Sequence, residues 1–183
     1  MNIWHDIEKD RIKPDEFVAV VEIEKGGKQK YELDKSTGLL MLDRILYTST
    51  HYPANYGFIP HTLAEDDDPL DVLILCSEGL IPMSLVKCYP IGMITMIDSG
   101  SRDEKIIAIP VTDPNYNTYK SVHDLPQHVF EEMRHFFSVY KQLEDKSTAV
   151  ERVHGKEDAI LTIEKSLKRY QENLFDLLNK KWK

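Results

Sequence analysis

An acidic stretch near the middle of the chain, Glu65–Asp71 (EDDDPLD), has residue types and spacing that suit cation binding. Five of its seven residues are carboxylates, and the five residues that follow (72–76, VLILC) are apolar. Like charges about 5 Å apart repel by roughly 3 kcal/mol at an effective dielectric constant near 20, so a fold must solvate them or pair them with a cation. Asp66 and Asp68 point to the same side of an extended segment. Asp71 opens a buried strand and is held rigidly, which suits Mg²⁺.

A solvated acidic turn is an alternative reading of this stretch taken alone. An EF-hand calcium loop fits poorly, because a count from Asp66 places Leu70 at position five, Asp71 at the position of the invariant Gly, and Ser77 at the position of the bidentate Glu. The choice between a solvated turn and a metal site depends on other segments.

Four further carboxylates are candidate metal ligands. Asp98 and Asp103 flank a predicted hairpin turn, for which an ordinary polar hairpin is the alternative. Glu22 interrupts an apolar strand (VAVVEI), where a buried carboxylate is costly unless it is paired or bound to metal. Glu22 and Glu32 both lie on the first predicted hairpin. For Glu22 the alternative is an edge position that faces solvent.

Basic and phenolic side chains are candidate ligands for an anion. They are Lys30, Arg44, Lys105, Lys141, Tyr52, Tyr56 and Tyr140. The guanidinium of Arg44 suits bidentate phosphate binding, and a local salt bridge with Asp43 is the alternative. For the tyrosines the alternative is packing with one bonded hydroxyl.

Composition limits the partners and the compartment. The chain has 183 residues, 42% of them hydrophobic, and a net charge of −8. This charge disfavours nucleic acid and anionic membranes, and no apolar run approaches a membrane span. Cys76 and Cys88 lack a CxxC pairing, which indicates buried free thiols in a reducing cytoplasm.

Short strands at regular spacing predict a small β-barrel of about residues 16–112 rather than a βαβ sheet. The predicted strands are 16–23, 28–34, 39–46, 71–76, about 83–88, 91–97 and 105–111, with residues 1–15 as a polar lead-in and 48–58 as a loop. Helical periodicity then predicts helices over about 124–141 and 157–178. The whole chain, 1–183, is predicted to be one domain.

Acids beside cations and hydroxyls are what Mg²⁺-dependent phosphoryl chemistry requires. No GxxxxGK[ST] loop and no GxSxG elbow occurs in the chain. Two alternatives remain from the residues alone: a noncatalytic module that binds divalent cations or polyphosphate, and a nucleotide or polyphosphate hydrolase.

The motifs resemble those of the soluble family I inorganic pyrophosphatases, in family order and over roughly residues 16–155. They are KYELD (30–34), LDR (42–44), HYPANYG (51–57), DDDPLDV (66–72), the Asp98…Asp103-x-Lys105 hairpin, VHDLP (122–126) and HFFxxYK (135–141). The resemblance implies an α+β, mainly β fold with an OB-like five-stranded closed barrel and flanking helices, including a C-terminal helix. It also implies a cytoplasmic homohexamer.

The resemblance further implies hydrolysis of pyrophosphate to two orthophosphates by direct attack of a metal-activated water or hydroxide, without a covalent intermediate. Several Mg²⁺ ions are expected, with Mn²⁺ or Zn²⁺ as possible substitutes. The implied metal ligands are Asp66, Asp71, Asp98, Asp103, Glu22 (through water) and Glu32. Asp68 is the implied general base. The implied phosphate ligands are Lys30, Arg44, Tyr56, Lys105, Tyr140 and Lys141, with Tyr52 in support. Lys30, Arg44 and Tyr56 are also implied to take part in catalysis.

Three features depart from the family pattern. Asp67 replaces the usual small residue of the acidic signature, which adds charge. Lys156 follows Gly155 where many bacterial members carry Trp. The helix predicted over 157–178 is also longer than the pattern supports.

Overall fold

The computed structural model describes residues 2–180, so residue 1 and residues 181–183 of the predicted domain lie outside it. The strands are β1 (Ile12–Lys13), β2 (Glu16–Ile23), β3 (Gln29–Asp34), β4 (Leu39–Ile45), β5 (Asn55–Phe58), β6 (Asp71–Ile74), β7 (Leu85–Asp98), β8 (Ser101–Pro110) and β9 (Thr148–His154). The α-helices are α1 (Gln127–Val139) and α2 (Lys156–Asn179), and 3₁₀ turns cover Lys9–Arg11, Val122–Asp124 and Gln142–Glu144.

Five strands form a closed ring. The larger sheet has the order β1-β2-β5-β6-β8-β7-β9, and an additional pairing of β2 with β7 closes the ring. Among the pairings of residues 2–180, only β6 with β8 is parallel. Strands β3 and β4 form a separate two-stranded sheet. The architecture confirms the prediction of a mainly β fold with a five-stranded closed barrel and flanking helices, one of them C-terminal.

Two strands lie where the sequence pattern does not predict them. Strand β5 lies within residues 48–58. The sequence predicts a loop there because Asn55 and Gly57 are poor strand formers. A Cβ at Gly57 would lie 1.8 Å from the carbonyl oxygen of Val20, so the close pairing with β2 requires glycine. Strand β9 was not predicted at all. The two strands predicted at 83–88 and 91–97 are one strand, β7, whose register shifts between Pro90 and Gly92.

Helix α1 connects the core to the site. Its side chains Met133, Phe136 and Phe137 are buried in one cluster with strand residues such as Leu73 and Ile107. Because this face anchors the helix, its C-terminal end is placed beside the barrel, where Tyr140 and Lys141 follow it. In residues 2–180, we find no helix with the length and apolarity that crossing a bilayer requires.

The N-terminal segment is not the polar lead-in that the sequence predicts. Trp4 is fully buried and packs in a cluster with Tyr170 and Leu177 of α2. Its indole nitrogen donates a hydrogen bond to the carbonyl oxygen of Thr62 at 2.9 Å. Trp4 therefore helps to dock the segment onto the C-terminal helix.

His5 makes this docking sensitive to pH. Its Nδ1 lies 2.7 Å from the hydroxyl of Tyr170, and burial, with the charge of His61 adding, lowers the pKa of His5, against a smaller raising effect of Asp6. Because the unfolded chain binds this proton at a higher pH than the folded chain does, the stabilising contribution of neutral His5 is fully present above about pH 6.5. It is lost as the pH falls below that value. We expect urea unfolding to show a smaller loss of stability between about pH 7.5 and pH 5.5 in H5N than in the wild type. An equal loss in both proteins would contradict this role of His5.

Candidate active site

A cavity of about 670 Å³ lies between the barrel and the β3–β4 sheet. All of the site residues predicted from the sequence line it except Arg44 and Tyr52. The predicted residues that it brings together are Glu22, Lys30, Glu32, Tyr56, Asp66, Asp68, Asp71, Asp98, Asp103, Lys105, Tyr140 and Lys141. Tyr52 does not line it and is instead 2% exposed in the apolar cluster beneath it.

Lys105 stands at the centre of this arrangement. The parallel pairing of β6 with β8 sets it directly beside Asp71. Its Nζ lies 2.6 Å from Asp71 Oδ2, 3.0 Å from Asp103 Oδ2 and 2.9 Å from the hydroxyl of Tyr56, which itself donates to Asp71. Burial alone would lower the pKa of Lys105, but the charges of Asp71 and Asp103 raise it well above its usual value. The ammonium group is therefore a permanent positive charge in the cavity.

Lys141 and Asp98 form a second ion pair on the same rim. Lys141 follows α1, and its Nζ lies 2.5 Å from Asp98 Oδ2 at the end of β7. Desolvation would raise the pKa of Asp98, but the hydrogen bond and charge of Lys141 outweigh it and lower the pKa. This pair connects the end of the helix to the β7–β8 hairpin.

The β3–β4 hairpin contributes two more lysines. Lys30 bonds Glu32 and lies 3.3 Å from Asp43 Oδ2, while Lys35 pairs with Asp68 of the acidic loop. Each lysine that lines the cavity is thus paired with a carboxylate that also lines it.

Glu22 is buried, which excludes the alternative of a solvent-facing edge position. Its Oε1 accepts a hydrogen bond from the backbone N–H of Leu33 at 2.9 Å. Burial, with the charge of Asp71 adding, raises the pKa of Glu22 well above its usual value. A bound cation would stabilise the ionised form of such a buried carboxyl group.

The acidic loop bends sharply at Asp67, whose φ of 68° lies in the left-handed region. The turn is closed by Asp66 Oδ1, which accepts from the N–H of Asp68 at 3.1 Å. Asp66 is an exposed residue whose side chain lines the cavity. Desolvation by the surrounding protein, together with the charges of Asp68 and Asp71, raises its pKa to about 6. Desolvation, more than the neighbouring charges, therefore disfavours the ionised form of Asp66.

Arg44 lies behind the cavity wall rather than on it. Its Nη1 bonds Asp43, which lines the cavity and also contacts Lys30. Its Nε lies 2.7 Å from Oε1 of Glu144, in the 3₁₀ turn after Lys141. The local salt bridge with Asp43 is thus present, and a second acid from a distant segment joins it.

The cavity residues fit hard divalent cations. Within residues 2–180, no three His, Cys, Asp or Glu side chains stand close enough to share one ion as they are placed. The ammonium of Lys105 occupies the space between Asp71 and Asp103. Nevertheless the acidic side chains of the cavity supply carboxylate oxygens, which suit Mg²⁺. Burial, with the charges of neighbouring carboxylates adding, raises the pKa of Glu22 and of Asp66.

The sequence did not predict three charged residues that form ion pairs with predicted site residues. Lys35, Asp43 and Glu144 were not among the predicted site residues, yet each pairs with a predicted one. The motifs KYELD and LDR adjoin or contain the first two, so their neighbourhood was a usable signal. Glu144 had no such signal, because its partner is 100 residues away in the sequence.

The inorganic pyrophosphatase family model matches residues 19–171, a span that includes every predicted site residue. The chain belongs to this family. Among curated relatives, soluble inorganic pyrophosphatase 1 of Arabidopsis thaliana is 46% identical over 177 residues, which is 97% of this chain and 84% of the relative. Soluble inorganic pyrophosphatase 2 of Chlamydomonas reinhardtii is also 46% identical, over 93% of this chain and 88% of the relative.

Solved structures of the family share the fold. The inorganic pyrophosphatase of Helicobacter pylori superposes with a TM-score of 0.86 at 42% identity, over 91% of this chain and 99% of its own. That of Thermus thermophilus gives a TM-score of 0.88 at 33% identity, over 93% and 99%. The two residues predicted from the sequence to depart from the family pattern lie at defined places: Asp67 at the left-handed residue of the acidic loop, and Lys156 at the first residue of α2.

Proposed function

We propose that this protein hydrolyses inorganic pyrophosphate to two orthophosphates in a Mg²⁺-dependent reaction. One observation carries the proposal: nine carboxyl side chains and four lysines line a single cavity, a formal excess of five negative charges. A polyanion is repelled from such a cavity unless divalent cations enter with it. Membership in the pyrophosphatase family supports the same substrate.

The proposed metal ligands are six of the nine carboxylates that line the cavity. Asp66, Asp71 and Asp103 would hold the first ion, and Asp71 would also serve a second. Asp98, Asp103 and Glu32 would hold the ions that enter with substrate. Glu22 would act through water. Bound Mg²⁺ would neutralise the phosphates and make water acidic enough to attack at neutral pH. Mn²⁺ or Zn²⁺ are proposed substitutes.

Asp68 is the proposed general base. It lines the cavity, and the pair with Lys35 holds its carboxylate in one place. Asp68 accepts a proton from the attacking water while the new P–O bond forms. The bridging P–O bond breaks, and its electron pair leaves with the second phosphate. No protein nucleophile takes part in this sequence.

The cations and hydroxyls bind the phosphates. Burial raises the pKa of Tyr56 well above its usual value, so that its hydroxyl stays protonated and donates to a phosphate oxygen. Lys105 and Lys141 pair with carboxylates that are also proposed ligands, so both must exchange partners to reach phosphate. Lys30, Arg44 and Tyr140 complete the set. Phosphate binding and carboxylate binding thus compete for the same lysines.

The test is orthophosphate release by the purified full-length chain. We expect turnover of pyrophosphate with excess Mg²⁺, none with EDTA, and much slower release from ATP. Absence of turnover with pure protein and excess Mg²⁺ would exclude the proposal, and equal rates with ATP would favour a general polyphosphate hydrolase.

We further propose that the protein forms a homohexamer and is located in the cytoplasm. Strand β4 leaves large apolar side chains exposed outside the cavity, with Leu39 61% and Leu42 49% accessible. Such a surface supports contact with another copy of the chain. The resemblance to family members supports the number of copies.

A further inference from the structure

Glu144 is a buried acid that the proposed mechanism does not use. It ends the 3₁₀ turn Gln142–Glu144, and its side chain is only 8% exposed. Its Oε1 lies 2.7 Å from Nε of Arg44, whose own side chain is 17% exposed. A carboxylate this deeply buried is costly unless a cation accompanies it, and Arg44 is that cation.

The anchoring of Arg44 differs from that of the lysines. Lys105 and Lys141 pair with Asp71, Asp103 and Asp98, which are proposed metal ligands. The partners of Arg44 are Asp43 and Glu144, neither of which is a proposed ligand. Glu144 does not line the cavity. The hold of Glu144 on Arg44 is therefore independent of metal loading.

The two partners leave part of the guanidinium without a hydrogen bond. Asp43 accepts a hydrogen bond from Nη1, whereas Glu144 contacts Nε as an ion pair at 2.7 Å without hydrogen-bond geometry. Nε and Nη2 are both buried, and neither has a hydrogen-bond partner among the described residues. A guanidinium is a rigid planar fork, so fixing one edge also fixes the direction of the others.

We propose that Glu144 is a positioning residue that holds Arg44 ready to donate to a phosphate oxygen of the substrate. The proposal rests on the proposed function, in which Arg44 binds phosphate. Without Glu144, Asp43 is the remaining carboxylate partner of Arg44 and draws the guanidinium toward itself. The side chain of Arg44 must then be ordered each time that a substrate molecule binds.

The experiment measures kcat and KM for pyrophosphate in E144Q, E144D, R44M and R44M/E144Q, at low and at saturating Mg²⁺. For E144Q we expect KM to rise about 2- to 10-fold, the cost of immobilising one long side chain, with kcat within about 2-fold. The rise should be the same at both Mg²⁺ concentrations. E144D keeps the charge and should show a smaller rise. E132Q, an exposed acid of α1, is the matched control.

The double variant separates positioning from a structural role. If Glu144 acts through Arg44, R44M/E144Q has the same KM as R44M. A further rise in the double variant would mean that Glu144 supports the turn that carries Lys141, and would overturn the proposal. An unchanged or lowered KM in E144Q and E144D would also overturn it. An inactive wild type would instead mean failure of the proposed function, so the two failures are distinguishable.

Discussion

Replacement of Asp71 by Asn is expected to lower kcat/KM for pyrophosphate about 10³-fold at low Mg²⁺, since a shared metal ligand supplies several kcal/mol of charge stabilisation. The substitution also removes one of two carboxylates that neutralise the buried Lys105. Asp103 remains, so we expect a loss of about 1.5–3 kcal/mol in unfolding free energy rather than loss of the fold. Kinetics over a Mg²⁺ titration and urea unfolding measure the two effects.

The matched control is D176N, which removes a carboxylate from the exposed face of α2. It should leave both kinetics and stability unchanged. Part of the activity of D71N should return at high Mg²⁺, because the remaining ligands still bind the ion weakly. Near-normal turnover of D71N at low Mg²⁺ would show that Asp71 is not shared between two ions.

Replacement of Asp68 by Asn is expected to lower kcat by about 10²–10⁴, the usual contribution of a positioned proton acceptor. The concentration of Mg²⁺ that gives half-maximal activity should stay nearly unchanged, because Asp68 is not a proposed ligand. The measurement is kcat together with this half-maximal concentration. A parallel loss of Mg²⁺ affinity would assign Asp68 to the metal site instead.

D67N is the matched control for D68N. Asp67 is the next residue of the same loop, does not line the cavity, and lies 3.5 Å from Lys180 on the surface. Its left-handed backbone tolerates Asn, so the loop geometry is kept. D67N changes the charge of the loop by the same amount as D68N, and we expect less than about a 3-fold effect on kcat, as for a surface ion pair. A large effect would mean that loop charge, not proton transfer, explains D68N.

Local pattern predicted much of the fold. The run of apolar residues in Glu16–Ile23 indicated the strand, and the helical stripe of Gln127–Val139 indicated the helix, because both patterns are local to their segments. Strand β5 was missed because its pairing depends on the close approach of Gly57 to β2. The periodicity of a segment indicates which face each residue occupies. It does not identify the strand that pairs with that segment.

The sequence predicted which acids and lysines share the cavity, but not how they pair. The motif order indicated these residues, and the resemblance implied the roles that are proposed for them. It did not indicate that Lys35 pairs with Asp68 or that Glu144 holds Arg44, since both contacts join segments far apart in sequence. Such pairings depend on the three-dimensional register of β3, β4 and the turn after α1.

The parallel alignment of β6 with β8 has a consequence for recovery after denaturation. Side chains alternate faces along a strand, so a slip of one residue would turn Lys105 away from Asp71 while most backbone hydrogen bonds and apolar burial survived. A mispaired molecule of this kind would look folded by circular dichroism and yet be inert. Regained hydrolysis therefore counts the molecules whose strands have found their correct neighbours, which spectroscopic signals of secondary structure do not.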